Sequence, residues 1–215
     1  AFPFLHYDPI YEANRTDTPA AETAEAVAIQ AMIAKIQIAV SQTAAFLSGA
    51  GVPADEAAII DWAYEALAAN IASAAGPVDL TASSFIAQLI QDTTVLAGAD
   101  SAMLFKVGAM LDEVATAVAY LNRAVDTTIV NNDDTITHSL ASIAAVQMVS
   151  ENIENLLQTG AEQGNIRSAT ALTEGTALTS AIEAAGALVG DVTGDGKADP
   201  LPSSIRSFIA VIGVG

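Results

Sequence analysis

The chain has 215 residues and a formal net charge of −18, from 25 acidic and only 7 basic residues, and it contains no cysteine. This charge makes binding to nucleic acid or to an anionic membrane surface unfavourable. The absence of cysteine excludes disulfides, thiolate catalysis and cysteine-ligated metals.

The first 18 residues show no helical periodicity and include the prolines Pro3 and Pro9. They also hold four of the eleven aromatic residues of the chain, whereas disordered tails are usually poor in aromatic residues. We therefore predict an extended N-terminal arm over residues 1–18. It docks either on a neighbouring copy of the chain or back on its own bundle.

Three helices are predicted next. The first begins after Thr18 and Pro19, a cap residue and a proline that the first turn tolerates, and it ends at SGAG, residues 48–51. Its apolar residues cover more than one side, as in a central helix. The second begins near Pro53 and the third near Thr81. The residues predicted to face inward on these two helices are Ile60, Ala63, Tyr64, Leu67, Ile71, Phe85, Ile86, Leu89, Ile90 and Leu96.

The fourth helix has the clearest pattern, because its apolar residues alternate spacings of three and four, which is a heptad seam. This seam comprises Leu104, Val107, Leu111, Val114, Val118, Leu121 and Val125. A fifth helix follows NNDD at residues 131–134, a weaker sixth runs over residues 168–189, and a short seventh follows residue 202.

The predicted fold class is all-α, because no stretch alternates as a strand does. We expect an alanine-rich up-and-down bundle of six to seven helices, with five helices in residues 19–160 and a C-terminal helical segment, residues 161–215, in the same domain. No transmembrane segment is predicted. Lys35 and three glutamines interrupt the most apolar long stretch, and a span needs about 20 apolar residues.

The acidic segment DVTGDGKAD, residues 191–199, has a calcium-loop spacing. Ca²⁺ takes about six to eight oxygen ligands, and a glycine permits the sharp turn that brings alternate residues together. Here Gly196 is the glycine, and the residue at the seventh position offers its backbone carbonyl. The candidate ligands are Asp191, Thr193, Asp195, Lys197 and Asp199.

This loop resembles the calcium-binding loops of dockerin modules and FG-GAP repeats over these nine residues. The resemblance implies that Asp191, Asp195 and Asp199 bind through side chains and Lys197 through its carbonyl. Thr193 stands where Asp or Asn is usual, and Pro202 stands where an EF-hand has a bidentate Glu. Water or a distant carboxylate must complete the shell. A solvated turn is the alternative.

Motifs of the common enzyme classes are missing from the sequence. With only His6 and His138, a three-histidine zinc site is impossible. There is no Glu-x-x-His pair, G-x-S-x-G elbow or phosphate-binding glycine loop. Carboxylate pairs occur on several helices, and we predict that they are solvated. They are Asp55/Glu56, Asp61/Glu65, Asp112/Glu113 and Glu151/Glu154.

These features predict an exported, non-enzymatic protein that self-assembles, such as a subunit of an extracellular filament or surface layer. The chain begins AFPF without methionine, as a mature chain does after signal-peptide removal. Weak calcium loops suit millimolar extracellular calcium. A homo-oligomer or polymer would form through the N-terminal arm and the apolar C-terminus. Two alternatives are open: a secreted carrier of an apolar ligand and a pore-forming helical protein.

Calcium is predicted to raise the melting temperature of the protein, because an ion that binds only the folded state stabilises it by mass action. Asp195→Ala should abolish this gain. Thermal melts of both proteins with calcium and with chelator measure the effect. If the chelator changes neither stability nor assembly, the loop is only a turn.

Overall fold

A computed structural model describes residues 8–14, 20–130 and 136–189, and these residues form nine α-helices and no strand. The predicted all-α helical bundle is therefore confirmed. The helices are α1 (Pro9–Asn14), α2 (Ala20–Ala50), α3 (Glu56–Ser73), α4 (Ser83–Leu96), α5 (Ser101–Gly108), α6 (Leu111–Val130), α7 (Ile136–Glu162), α8 (Arg167–Thr173) and α9 (Gly175–Val189).

The long helix α2 lies at the centre of the bundle, as predicted. It contacts α1, α3, α4, α5 and α6, and its most extensive contact is with α7. Residues 42–47 of α2 are all buried. Several of the most deeply buried residues of this helix are alanines, among them Ala34, Ala39 and Ala44, and small side chains allow neighbouring helices to approach closely.

The helices α2 and α7 run parallel to each other. Residue numbers rise together along both helices in three hydrogen-bonded side-chain contacts, which are Gln37–Gln147, Gln42–Ser150 and Ser48–Gln158. By contrast, α6 begins near the end of α2 and runs back along it, since Lys35 in α2 bonds Asp126 near the end of α6. The main packed pair of the bundle is thus formed by helices distant in sequence.

Two predicted helices are each divided in the structure, and α1 forms within the predicted arm, so the described residues contain nine helices rather than six or seven. The predicted fourth helix separates into α5 and α6 after Gly108, where glycine has low helix propensity. The seam from Val107 to Val125 is buried as predicted, but Leu104 is exposed and that part of the prediction is wrong. The predicted sixth helix breaks before Gly175, whose φ of 57° is left-handed.

Some inward positions on α3 and α4 were also predicted wrongly. Tyr64 and Ile71 are exposed, because α3 buries the adjacent face that carries Ile59 and Ala66. On α4, Leu96 is exposed at the last position of the helix. Because Ile59 and Ile60 are adjacent, the helical period could be started from either one, and the prediction started from Ile60 whereas α3 buries the face of Ile59.

The predicted extended arm is wrong where the structure describes it. Pro9 begins α1 instead of preventing a helix, because the first helical position needs no backbone N–H. The Asp8 carboxylate accepts hydrogen bonds from the backbone nitrogens of Ile10 and Tyr11, at 2.9 and 3.0 Å. Helix α1 packs on α2 and α7 of its own chain, which favours the self-docked alternative for residues 8–14. Residues 1–7 lie outside the described part.

Gly49 allows the closest approach of α2 to α7. A Cβ at this position would overlap the backbone carbonyl of Gln158, and a backbone atom cannot move aside as a flexible side chain can. We expect Gly49→Ala to destabilise the fold by about 1–3 kcal/mol, as overpacking does.

Gly108→Ala is the matched control for this substitution, because Gly108 is also helical and a Cβ there meets nothing within 4 Å. This control should be neutral or slightly stabilising, since alanine favours helix. Urea unfolding of both variants measures the difference. Equal stability of the two would contradict the close approach.

Candidate functional site

The two most exposed large hydrophobic side chains of the described residues lie beside one turn of the bundle. Phe105 is 81% exposed and Val95 is 64% exposed, and Leu96 and Leu104 are about 40% exposed. These four residues lie at the end of α4 and in α5, on either side of the loop 97–100. We call them the α4–α5 corner. Exposed apolar patches commonly mark sites of interaction.

The corner is held in place by contacts of the loop and of α5. Asp100 caps α5, with Oδ1 accepting a hydrogen bond of 2.9 Å from the backbone nitrogen of Met103. Lys106 donates a 2.7 Å hydrogen bond to the carbonyl of Ala50, the last residue of α2. Val107 is buried in the core. The exposure of Phe105 is therefore a property of a fixed helix and not of a loose end.

The corner has little charge in a strongly acidic chain. Between residues 93 and 108 the only ionisable side chains are Asp100 and Lys106, and their charges cancel. Both also make the hydrogen bonds just described. An approaching surface would thus meet apolar side chains without desolvating an unpaired charge.

The sequence-predicted calcium ligands lie outside the described residues. These are Asp191, Thr193, Asp195, Lys197 and Asp199. Calcium binding at this loop therefore stays a prediction. Within the described residues, no group of three or more histidine, aspartate or glutamate side chains is placed to hold a metal ion. His138 lies in the first turn of α7, and His6 is outside the described part.

Buried polar contacts along the α2–α7 interface were missed by the sequence analysis. Gln42 is fully buried, and its Nε2 donates to the carbonyl and hydroxyl oxygens of Ser150, at 2.9 Å each. Its Oε1 has no hydrogen-bond partner among the described residues. Lys35 forms an ion pair of 2.7 Å with Asp126. The glutamines inside the apolar α2 sequence were the available signal.

Most of the predicted solvated carboxylate pairs are confirmed. Asp61, Glu65, Asp112 and Glu113 are exposed. Asp55 has a specific structural use, because it caps α3 by accepting a 2.8 Å hydrogen bond from the backbone nitrogen of Ala58.

Glu154 differs from the prediction, because it is partly buried where α7 meets α2. Burial raises the pKa of its carboxyl above the ordinary value of 4.5, and the negative charges of Glu56 and Glu151 raise the pKa further. A hydrogen bond from Ser41 acts in the opposite direction and lowers it. The ionised form of Glu154 is therefore disfavoured in the folded protein.

Among the described helices, α2 alone is long and apolar enough to cross a membrane by length and composition. Half of the residues in the most apolar segment of α2 are buried inside the bundle, as in the central helix of many bundles. The predicted absence of a transmembrane segment stays a prediction.

Comparisons of the chain with protein-family models, with curated proteins and with solved structures each find no match. Any function must therefore be argued from the residues and their arrangement. The α4–α5 corner is the described surface whose side chains most clearly lack a covering partner.

Glu154→Gln should raise stability at neutral pH. A carboxyl whose folded pKa is raised contributes stability while protonated and loses it as the pH rises through that pKa. Glutamine keeps the hydrogen bond to Ser41 and removes the charge. We expect a gain of about 2–4 °C in Tm at pH 7, as roughly 1 kcal/mol produces in a domain of this size. The gain should shrink towards pH 4.

Glu65→Gln makes the same charge change at an exposed position of α3 and is the control. Thermal melts of both variants from pH 4 to pH 8 check the prediction. An increase in Tm for Glu154→Gln that is independent of pH, or equal to the increase for Glu65→Gln, would contradict an effect of burial on the Glu154 carboxyl.

Proposed function

We propose that this chain is a non-enzymatic structural subunit that self-assembles outside the cell, with the α4–α5 corner as a contact between copies. The observation that carries the proposal is the exposure of Phe105 beside Val95, Leu96 and Leu104 on a fixed turn. Phenylalanine is scarce in this chain, with six in 215 residues. The other two phenylalanines among the described residues, Phe46 and Phe85, are buried or packed against the core.

Burial of the corner would supply useful binding energy. A buried phenylalanine or valine side chain contributes about 1.5–3 kcal/mol relative to an exposed one. Because α5 is already anchored by Lys106 and Asp100, little ordering of the surface is needed on contact. Preorganised surfaces lose less free energy to ordering when they bind.

The charge distribution favours a second copy as the partner at this corner. Two chains of charge −18 repel each other over most of their surfaces. They can approach most easily where carboxylates are sparse, and residues 93–108 carry a balanced charge. A basic partner would instead be attracted to the acidic faces. An uncharged apolar contact therefore suits a copy of the same acidic chain.

The extracellular part of the proposal rests on the sequence of the loop at residues 191–199. Calcium bound there would also reduce the repulsion between copies, so assembly should strengthen with calcium. The N-terminal arm is less favoured as an intersubunit contact than the sequence indicated, because α1 packs on its own α2 and α7. The apolar C-terminus, residues 201–215, lies outside the described part and remains a proposed contact.

Phe105→Glu should weaken self-association, because it places a charge in the apolar contact between two acidic chains. We expect the dissociation constant to rise at least about tenfold, which corresponds to about 1.4 kcal/mol. Light scattering after gel filtration, over a range of concentrations with and without calcium, measures this change. Negative-stain microscopy shows whether the assembly is a polymer or a closed oligomer.

Tyr64→Glu is the matched control, since Tyr64 is a half-exposed aromatic residue on α3, away from the corner. It should leave association unchanged. A native chain that stays monomeric at all concentrations contradicts the proposal. If Phe105→Glu and Tyr64→Glu associate equally, the contact between copies does not lie at the α4–α5 corner. An extractable apolar ligand, or leakage of dye from vesicles, would support the carrier or the pore-forming alternative.

A further inference from the structure

A surface groove of about 540 Å³ lies between α6 and α8. Its volume is within the range of small-molecule sites, which is about 300–1,000 Å³. The groove is on the surface and is lined by charged, hydroxyl and aromatic side chains, so it differs from the apolar interior that a carrier of an apolar ligand would need. The residues relevant to its chemistry are Asp112, Glu113, Tyr120, Arg167, Thr170 and Glu174.

Arg167 is unusual among the basic residues in the described part of the chain. Lys35 pairs with Asp126, Lys106 bonds the carbonyl of Ala50, and Arg123 bonds the carbonyl of Thr81 and lies over the ring of Tyr120. The guanidinium of Arg167 makes no hydrogen bond or ion pair with any described residue. This holds even though three carboxylates line the same groove. As far as the described residues show, the guanidinium of Arg167 is therefore available to a ligand.

The groove thus presents charged groups of opposite sign, and these lining groups form no ion pair with one another. A guanidinium binds a carboxylate through two parallel hydrogen bonds. Asp112, Glu113 and Glu174 accept hydrogen bonds from an ammonium or guanidinium group. Since the lining carries three negative charges and one positive charge, a ligand with more positive than negative charge is favoured.

We propose that the α6–α8 groove binds a molecule that has both an α-carboxylate and a cationic side chain. Arg167 holds the carboxylate, and the lining acids hold the cation. The ring of Tyr120 and the methyl group of Ala171, both exposed in the groove, supply apolar surface for the methylenes between the two charges. A free basic amino acid and the C-terminal basic residue of a peptide share this chemistry. The inference does not depend on self-assembly.

The test compares arginine with argininamide, in which the carboxylate is replaced by a neutral amide. Isothermal titration of the full chain with each compound measures both affinities. Arginine should bind about tenfold more tightly than argininamide, because the bond to Arg167 is charge-assisted. Simple attraction of cations to an acidic protein predicts the reverse order, since argininamide has the greater positive charge.

Arg167→Gln should abolish the preference for arginine over argininamide. Glu113→Gln should weaken the binding of both compounds. Glu65→Gln, which lies outside the groove, should weaken the binding of neither. Equal or tighter binding of argininamide by the native chain overturns the proposal, and this comparison needs no variant to fold. No binding of arginine at millimolar concentration also overturns it, as does a preference that survives in Arg167→Gln.

Titration with the peptide Gly-Gly-Arg and with its C-terminal amide identifies the source of the ligand. Tighter binding of the peptide acid than of its amide assigns the groove to peptide C-termini. Binding of free arginine, with no difference between the two peptides, assigns it to the amino acid. Both results support recognition of a carboxylate by Arg167.

Discussion

The close parallel contact of α2 with α7 is the constraint on which the rest of the bundle depends. At Gly49 the backbones of the two helices approach so closely that no side chain fits between them. Because α2 and α7 are parallel, the chain between them, α3 to α6, must connect the C-terminal end of α2 to the N-terminal end of α7. The position of α5 follows, since Lys106 bonds the carbonyl of the last residue of α2. The exposed corner is therefore a consequence of the central contact.

Polar side chains determine how α2 and α7 align along their length. An alanine-rich interface has few large side chains to fix its register, so contacts between defined residues must oppose a slide of one helix along the other by one turn. The pairs Gln37–Gln147 and Gln42–Ser150 would be broken by such a slide, and a buried polar group without a partner is costly. Within the described part of the chain the buried Oε1 of Gln42 has no hydrogen-bond partner, so this alignment has a cost. Buried polar groups are a known means of fixing helix register.

Local sequence patterns predicted the helices whose apolar seams are regular, and non-local contacts determined the rest. The buried seam of α6 follows from spacing alone. The parallel pairing does not, because partner choice depends on residues about 110 positions apart. Leu104 fitted the seam, so the break at Gly108 that exposes the corner was missed. The groove also escaped detection, since Arg167 and Asp112 are brought together only by the fold. The candidate calcium loop could be proposed from the sequence because all its candidate ligands are local, and calcium binding there stays a prediction.

The scarcity of basic residues connects the two proposed surfaces. With so few cations, the chain cannot cover its carboxylates with ion pairs, and Lys35, Lys106 and Arg123 each stabilise a specific contact between elements. Negative charge repels other copies least where carboxylates are sparse, and for this reason we propose the α4–α5 corner as the contact between copies. The same scarcity makes Arg167, which has no ion-pair partner among the described residues, the proposed site for a carboxylate. Both proposals thus rest on one compositional bias of the chain.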